Sequence, residues 1–325
     1  MWRVPLLNRL DTRRKIWLKR AMPGWLLSRI RPNAVRVVRR SSRTERLSDG
    51  PVFALLCTWM EEDIVFASVR HALDQGVQRV YLIDNGSTDS TVGEAVAAGA
   101  TLVMTFSTEK FDEIFKYRLI NEQIAHLSAQ SGLDQIWWLM MDADEFTTTP
   151  NEASLPSFLG GLDPRCRIVG ARVLDHYPVP GSHLAPRAHP LSMETLCLEK
   201  SDQRCMLGHH KHPAFLWKQT QRRIVVEPGF HQLWCKGEAL YEPDRSLVLD
   251  HFPYRNEEEM RRRLTRLMER GVTAESHKAD ADRHMRARLQ SLDAVYQAQF
   301  DRVIDYRTGK AGITVADRAT VLGVL

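Results

Sequence analysis

Two stretches decide the fold. One reads Val80-Tyr81-Leu82-Ile83-Asp84-Asn85-Gly86-Ser87-Thr88-Asp89, the other Ile136-Trp137-Trp138-Leu139-Met140-Met141-Asp142-Ala143-Asp144-Glu145-Phe146. Each is a short, continuous apolar run that ends abruptly in carboxylates, which is how a strand buried on both faces delivers polar groups to a sheet edge. Working outward, Val52 to Cys57 is a third such run, and Thr101 to Phe106 is a fourth strand. Between them the spacing turns helical. Glu61 to Gln75 places Ile64, Ala67, Ser68 and His71 on one side and stops at Gly76, Ser90 to Ala98 forms a short helix, and Phe111 to Gln130 a long amphipathic one. Strands alternating with helices predict right-handed βαβ units, hence an α/β fold with a mostly parallel, Rossmann-like sheet and helices on both faces.

Beyond Pro150 the pattern loosens. Arg167 to Leu174 reads as a strand, 175–220 as an irregular insertion rich in Pro, His and Gly, and Ile224-Val225-Val226 and Leu247-Val248-Leu249 as short strands. Glu257 to Arg270 and Ala281 to Asp305 read as charged C-terminal helices. The expected organisation is a basic amphipathic arm over 1–49, a catalytic domain over 50–255 and a helical extension over 256–325.

Ligands in open parallel sheets bind beyond the carboxyl ends of the strands. Asp142 and Asp144, two apart in an extended segment, face the same side there. Two hard oxygen donors on one side suit Mg²⁺ or Mn²⁺ carried by a diphosphate, and such an ion offsets charge on a leaving phosphate. Chance produces Asp-x-Asp often; closing an apolar strand, with Asp84 closing another, makes this instance informative.

With these residues the chain resembles the family 2-type glycosyltransferases of GT-A fold, in particular a branch related to family 92. The motifs that carry the likeness are Leu55 to Met60 followed by Glu61-Glu62-Asp63, Asp84-Asn85-Gly86-Ser87-Thr88-Asp89 and Asp142-Ala143-Asp144-Glu145-Phe146. The likeness is good over about 52–150 and weak through Lys218, Gly229-Phe230-His231 and His251-Phe252-Pro253-Tyr254-Arg255. It implies a metal-dependent transfer of sugar from a nucleotide sugar, a UDP-sugar being favoured, to a hydroxyl on a glycan, lipid-linked or protein-linked acceptor, with inversion, in polysaccharide or glycoconjugate synthesis.

The resemblance also implies roles. Asp84 and Asn85 would hold the base, Glu61 or Glu62 the ribose, and Arg118 and Asn121 the donor phosphates. Asp144 would bind Mn²⁺ or Mg²⁺, with Asp142 beside it on ribose, sugar or the metal, and His251, or failing it His231, would complete the metal shell. For the general base the acceptor half offers Asp202 first, then Glu199 and Asp175. A sugar-nucleotide nucleotidyltransferase would carry a Gly-rich basic loop after the first strand, where Thr58-Trp59-Met60-Glu61-Glu62 is acidic. A non-catalytic nucleotide-sugar-binding protein would be expected to lose Asp142 or Asp144.

Composition bounds the rest. Residues 1–49 carry 14 Lys/Arg against Asp11, Glu45 and Asp49, a net of +11, so in a chain of formal net charge +5 the remainder carries −6. Trp2, Trp17 and Trp25 with leucines among these cations suit an anionic lipid surface, or equally a basic solvated tail packed partly on the body, whereas no aromatic stacking platform accompanies the charge as nucleic-acid binding would require. The expected location is cytoplasmic, peripheral on the membrane's inner face. Five cysteines without a CxxC fit neither a disulfide framework nor zinc, and Cys205 with His209-His210-Lys211-His212 lacks tetrahedral spacing. The basic helix Glu257 to Arg270, with Arg261, Arg262, Arg263 and Arg266, reads as a solvated face, or as a lure for an anionic acceptor.

Overall fold

The computed structural model describes residues 50–150, 153–200, 211–271, 281–305 and 309–323, together with backbone strands at Ala34–Val35 and Val38–Ser41. The apolar runs are strands as their sequences require: β1 (Val52–Thr58), β2 (Arg79–Asp84), β3 (Thr101–Thr105) and β4 (Gln135–Met141). Between them lie α1 (Val65–Asp74), α2 (Thr91–Ala98) and α3 (Glu113–Gln130). The pairs β1–β2, β1–β4 and β2–β3 are parallel. Side chains leave the strands alternately. Val52, Ala54 and Leu56 pack with Val65, Val69 and Ala72 of α1, whereas Phe53 and Leu55 pack with Tyr117, Ile120 and Ile124 of α3. Helices cover both faces of β1, β2 and β4, so the interiors of these strands are apolar and no alternation is visible in the sequence, whereas the edge strand β3 is largely exposed.

Helix α1 starts four residues later than its spacing suggests. Met60 adopts φ +58, and the backbone of Ile64 and Val65 turns back onto the Glu61 carbonyl. Gly76 follows the helix at φ +91, where a Cβ would meet Pro156 Cδ at 2.9 Å. At α3 the Asp112 carboxylate caps the helix by accepting from the Phe115 amide at 2.9 Å.

The second half of the sheet corrects the expectation of an irregular 175–220. After β5 (Glu145–Thr148) and α4 (Leu155–Gly160), β6 runs from Ile168 to Pro178, and β7 (Thr195–Lys200), β8 (Lys211–Lys218) and β9 (Leu247–His251) join the same sheet. The order is β3-β2-β1-β4-β8-β6-β9-β5, with β7 on the far end of β6. Strand β8 is central and antiparallel to β4 and β6. Its Pro213 disguised it, since proline removes a ladder donor; the register shift between Lys211 and Ala214 absorbs that loss. Parallel pairing therefore dominates the first half, and antiparallel pairs enter with β8.

Two C-terminal helices, α5 (Glu257–Arg270) and α6 (Ala281–Tyr296), pack on each other through Met260, Leu264 and Leu292. The expected helix to Asp305 ends at Tyr296; a short 3₁₀ turn follows at Phe300–Arg302. A last helix, α7 (Arg318–Leu322), lies by β7 and reaches Arg172 through its terminal carbonyls. The two backbone strands from the basic arm pair with Cys235 and Lys236 and, in parallel, with Leu240–Pro243, so the end of the arm is knitted to the body. The Trp- and Leu-bearing part of that arm lies outside the described residues. No helix among the described residues is long and apolar enough to cross a membrane.

Candidate functional site

The carboxyl ends of β1, β2 and β4 open onto a cleft of about 310 Å³ whose far wall is supplied by α5 and α6. The tip of β4 forms its floor. The Asp142 carboxylate lies 3.1 Å from Lys211 Nζ and 3.9 Å from Lys116 Nζ, and Lys211 also pairs with Glu145. Burial works against charge at Asp142, but the two lysines outweigh it and hold its carboxyl below the usual range. Asp144 is buried with His251, Arg255 and Arg263 at 3.5, 3.6 and 3.8 Å. Against its burial these cations hold the Asp144 carboxyl well below the ordinary value.

His251 closes β9. Its Nδ1 is 2.6 Å from Asp175 Oδ1, and Asp175 pairs on its other oxygen with Lys200. Burial opposes charging the imidazole, yet Asp175 and Asp144 raise it to about 9. The imidazole Nε2 and the Asp144 Oδ2 face the cleft 3.5 Å apart, close to the separation of two donors flanking one ion. Asp175 holding the other ring nitrogen is the outer arrangement that orients a ligating histidine. With its Nε2 proton displaced on binding, the imidazole and the carboxylate would together suit Mn²⁺, an ion that accepts both kinds of donor. Among the described residues no group of three His, Cys, Asp or Glu stands ready to hold an ion, so the remaining ligands would come from a bound anion and water. His231 lines the same cleft beyond Gly229, whose φ is +72 and whose Cβ would strike the His231 ring at 2.5 Å.

Other anticipated residues are placed differently. Asp84 is buried and turned back on its own loop, accepting from the amides of Gly86 and Ser87 at 3.0 and 3.1 Å, whereas Asn85 lines the cleft. Glu61 lines it too, paired with Arg255 at 3.3 Å and with Arg263; burial pushes its carboxyl up to about 8 against those arginines. Glu62 faces outward, accepting from the Ser90 amide at 2.9 Å and from Arg262 at 3.3 Å. Arg118 is exposed, 3.7 Å from Glu122 and stacked on Phe115, away from the cleft. Asn121 is a latch. Its amide donates to the Tyr117 and Val226 carbonyls at 2.7 and 2.9 Å and accepts from the Val226 amide at 3.0 Å, which leaves nothing for a phosphate.

Among the base candidates, Glu199 forms a fork with Arg172 at 2.8 and 2.9 Å on the sheet's outer rim. Asp175 is fully engaged, and Lys200 and His251, working against its burial, drive its carboxyl far below the range of a useful base. Asp202 lies outside the described residues. Burial pushes the cleft-lining Cys57 thiol up to about 11, so it is no nucleophile at neutral pH.

The residues that the sequence reading missed are the cations. Lys116 stands two residues before Arg118, which turns it about 200° around α3. Lys211 belongs to the strand that Pro213 disguised. Arg263 and Arg270 share the face of α5 that carries Met260, Leu264 and Leu267, and two arginines on a buried stripe were the available signal.

No protein-family model matches the chain, and no curated protein sequence does. Among solved structures, the chain is similar to glucosyl-3-phosphoglycerate synthase from Mycobacterium tuberculosis. In complex with Mn²⁺, UDP and phosphoglyceric acid, that enzyme aligns with a TM-score of 0.34 at 13% identity, over 69% of this chain and 80% of that one. In complex with Mg²⁺ and UDP it aligns at 0.25 and 15%, over 42% of this chain, which spans about half (50%) of that protein's length. At these scores the site's own chemistry, not the alignment, decides function.

Proposed function

We propose that the chain is a metal-dependent glycosyltransferase that moves a sugar, with inversion, from a nucleotide-sugar donor to a hydroxyl acceptor in polysaccharide or glycoconjugate synthesis. The observation that carries the proposal is the Asp144–His251–Asp175 chain beside the carboxyl end of β4, facing a cleft whose other end presents Asn85. The family resemblance of the strand-end motifs supports the same reading.

Asp144 and His251 would hold Mn²⁺ or Mg²⁺, and a bound ion would supply Lewis-acid stabilisation of the departing diphosphate. The protein's own groups do the rest. Lys116 and Lys211, the two cations beside Asp142, are placed to stabilise the charge that grows on the leaving group. Asp175 fixes the imidazole so that Nε2 points at the cleft. Arg263 joins the helical wall to Glu61 and Asp144 and so closes the site against water.

Calorimetry of UDP binding to the full chain, with and without Mn²⁺, tests this. Binding should tighten with Mn²⁺, and Asp144→Asn, which keeps the side-chain shape, should abolish that dependence and sugar transfer together. Undiminished Mn²⁺ dependence and turnover in Asp144→Asn would refute the assignment.

A further inference from the structure

Arg270, in the last turn of α5, reaches across the cleft's rim to three loops at the strand ends. Its Nη2 donates to Asn85 Oδ1 at 3.1 Å and to the carbonyl and hydroxyl of Thr108 at 2.9 and 3.0 Å. The guanidinium lies over the Trp59 ring, 4.6 Å from its centroid. A guanidinium has donors only. The Asn85 amide must therefore present its oxygen to Arg270, and its Nδ2 faces elsewhere, with no hydrogen-bond partner among the described residues. Asn85 lines the cleft beside Thr58 and Trp59. The Thr58 hydroxyl, 2% exposed, is likewise without a hydrogen-bond partner, on the strand whose Thr58 pairs with Asp84 of β2.

This corner lies at the end of β2, two strands from the acidic tip of β4. At the usual strand spacing that is roughly 10 Å, a distance that a ribose and base fill when the diphosphate sits at the tip. The corner holds an aromatic face, a hydroxyl and one amide donor of fixed direction.

We propose that Arg270 and Asn85 form a nucleobase filter that accepts a ring carbonyl, as in uracil, thymine or guanine, and rejects the exocyclic amine of cytosine or adenine. The proposal rests on the nucleotide-sugar reading and adds a specificity to it. Asn85 contacts the base; Arg270 is a positioning residue that acts through the amide. A carbonyl oxygen pairs with Nδ2. An amine opposes donor to donor in a buried corner, a mismatch that costs roughly ten- to hundredfold in affinity.

UDP and CDP differ at the edge in question, so calorimetry of both with the full chain in Mn²⁺ is the test. The native chain should favour UDP by at least about tenfold. Arg270→Leu frees the amide to turn and should bring the ratio close to one, as should Asn85→Ala, which removes only a cleft side chain. Arg270→Lys, which keeps a donor facing Oδ1, should restore much of the preference. Equal affinities in the native chain, or a preference that survives both Arg270→Leu and Asn85→Ala, would overturn the filter while UDP binding itself stood. Absence of any nucleoside diphosphate binding would overturn the transferase reading and the filter together.

Discussion

Replacing Asp175 by Asn changes one atom in a chain of buried charges, and two cationic neighbours register the change. The native carboxylate is 2% exposed and neutralises Lys200, 6% exposed, on one oxygen while holding His251 Nδ1 on the other. An asparagine retains the shape but turns an NH₂ towards one of these two cations. Breaking a buried ion pair in this way costs up to about 3–5 kcal/mol, and the loss falls on folding stability rather than on catalysis alone. The double variant Asp175→Asn, Lys200→Met removes the ammonium as well and should recover most of that loss, since a buried pair exchanged for apolar volume is commonly close to neutral. The pair of variants and the single Lys200→Met close a double-mutant cycle, measured by urea unfolding at pH 7.5. The coupling between the two positions should be at least about 2 kcal/mol. Single-variant losses under about 1 kcal/mol, or simple additivity, would show that Asp175 carries no buried ion pair. Free Asp175 would then return as a candidate base.

The histidines of α1 and the loop before β7 predict a pH dependence. His189 Nδ1 accepts from the Leu191 amide, so its Nε2 carries the proton, which goes to His71 Nδ1 at 3.0 Å, and His71 Nε2 donates to the Thr147 carbonyl at 2.8 Å. Both rings are neutral by this geometry; burial first, then His71, holds His189 down to about 4. The unfolded ring takes up a proton near 6.5 and the folded one does not, so the contribution of His189 to stability is complete above about 6.5 and falls towards pH 4, by about 1.4 kcal/mol per pH unit. Glu61 and His251, raised to about 8 and about 9, contribute the opposite slope over this range. The test is therefore the stability difference between the native chain and His189→Gln in urea unfolding from pH 7.5 to 5, which should change by this amount; parallel pH profiles would dismiss the account. Asn121→Ala should cost about 2–4 kcal/mol by orphaning the Val226 amide and carbonyl, and UDP affinity should hold to within about threefold. A large loss of UDP affinity at undiminished stability would return Asn121 to the donor phosphates.

How far the site can be read in the sequence depends on what each residue answers to. Strands β1, β2 and β4 announce themselves because both of their faces are buried and their ends are not, so apolar runs and carboxylates mark the same boundary. Asp142, Asp144 and His251 are legible for that reason: each stands at, or just beyond, the end of a buried strand. Cations give no such mark. Lys211, Lys116, Arg263 and Arg270 come from a strand, a helix start and a C-terminal helix far apart in the chain, and their meaning lies in the groups they meet. A lysine in a bulged strand after a run of histidines reads as a loop, and an arginine in Glu257–Arg270 reads as solvated until Met260, Leu264 and Leu267 are seen to share its face. The difference is one of information. A strand-end acid is specified by its neighbours in sequence, and its counter-cation only by tertiary contact. The acidic tip with its cations removed would be a cluster of like charges in a buried cleft, which no strand pattern could sustain. The acids therefore imply that partners exist without saying where. The place to seek them is any helix that carries a basic residue on its apolar stripe.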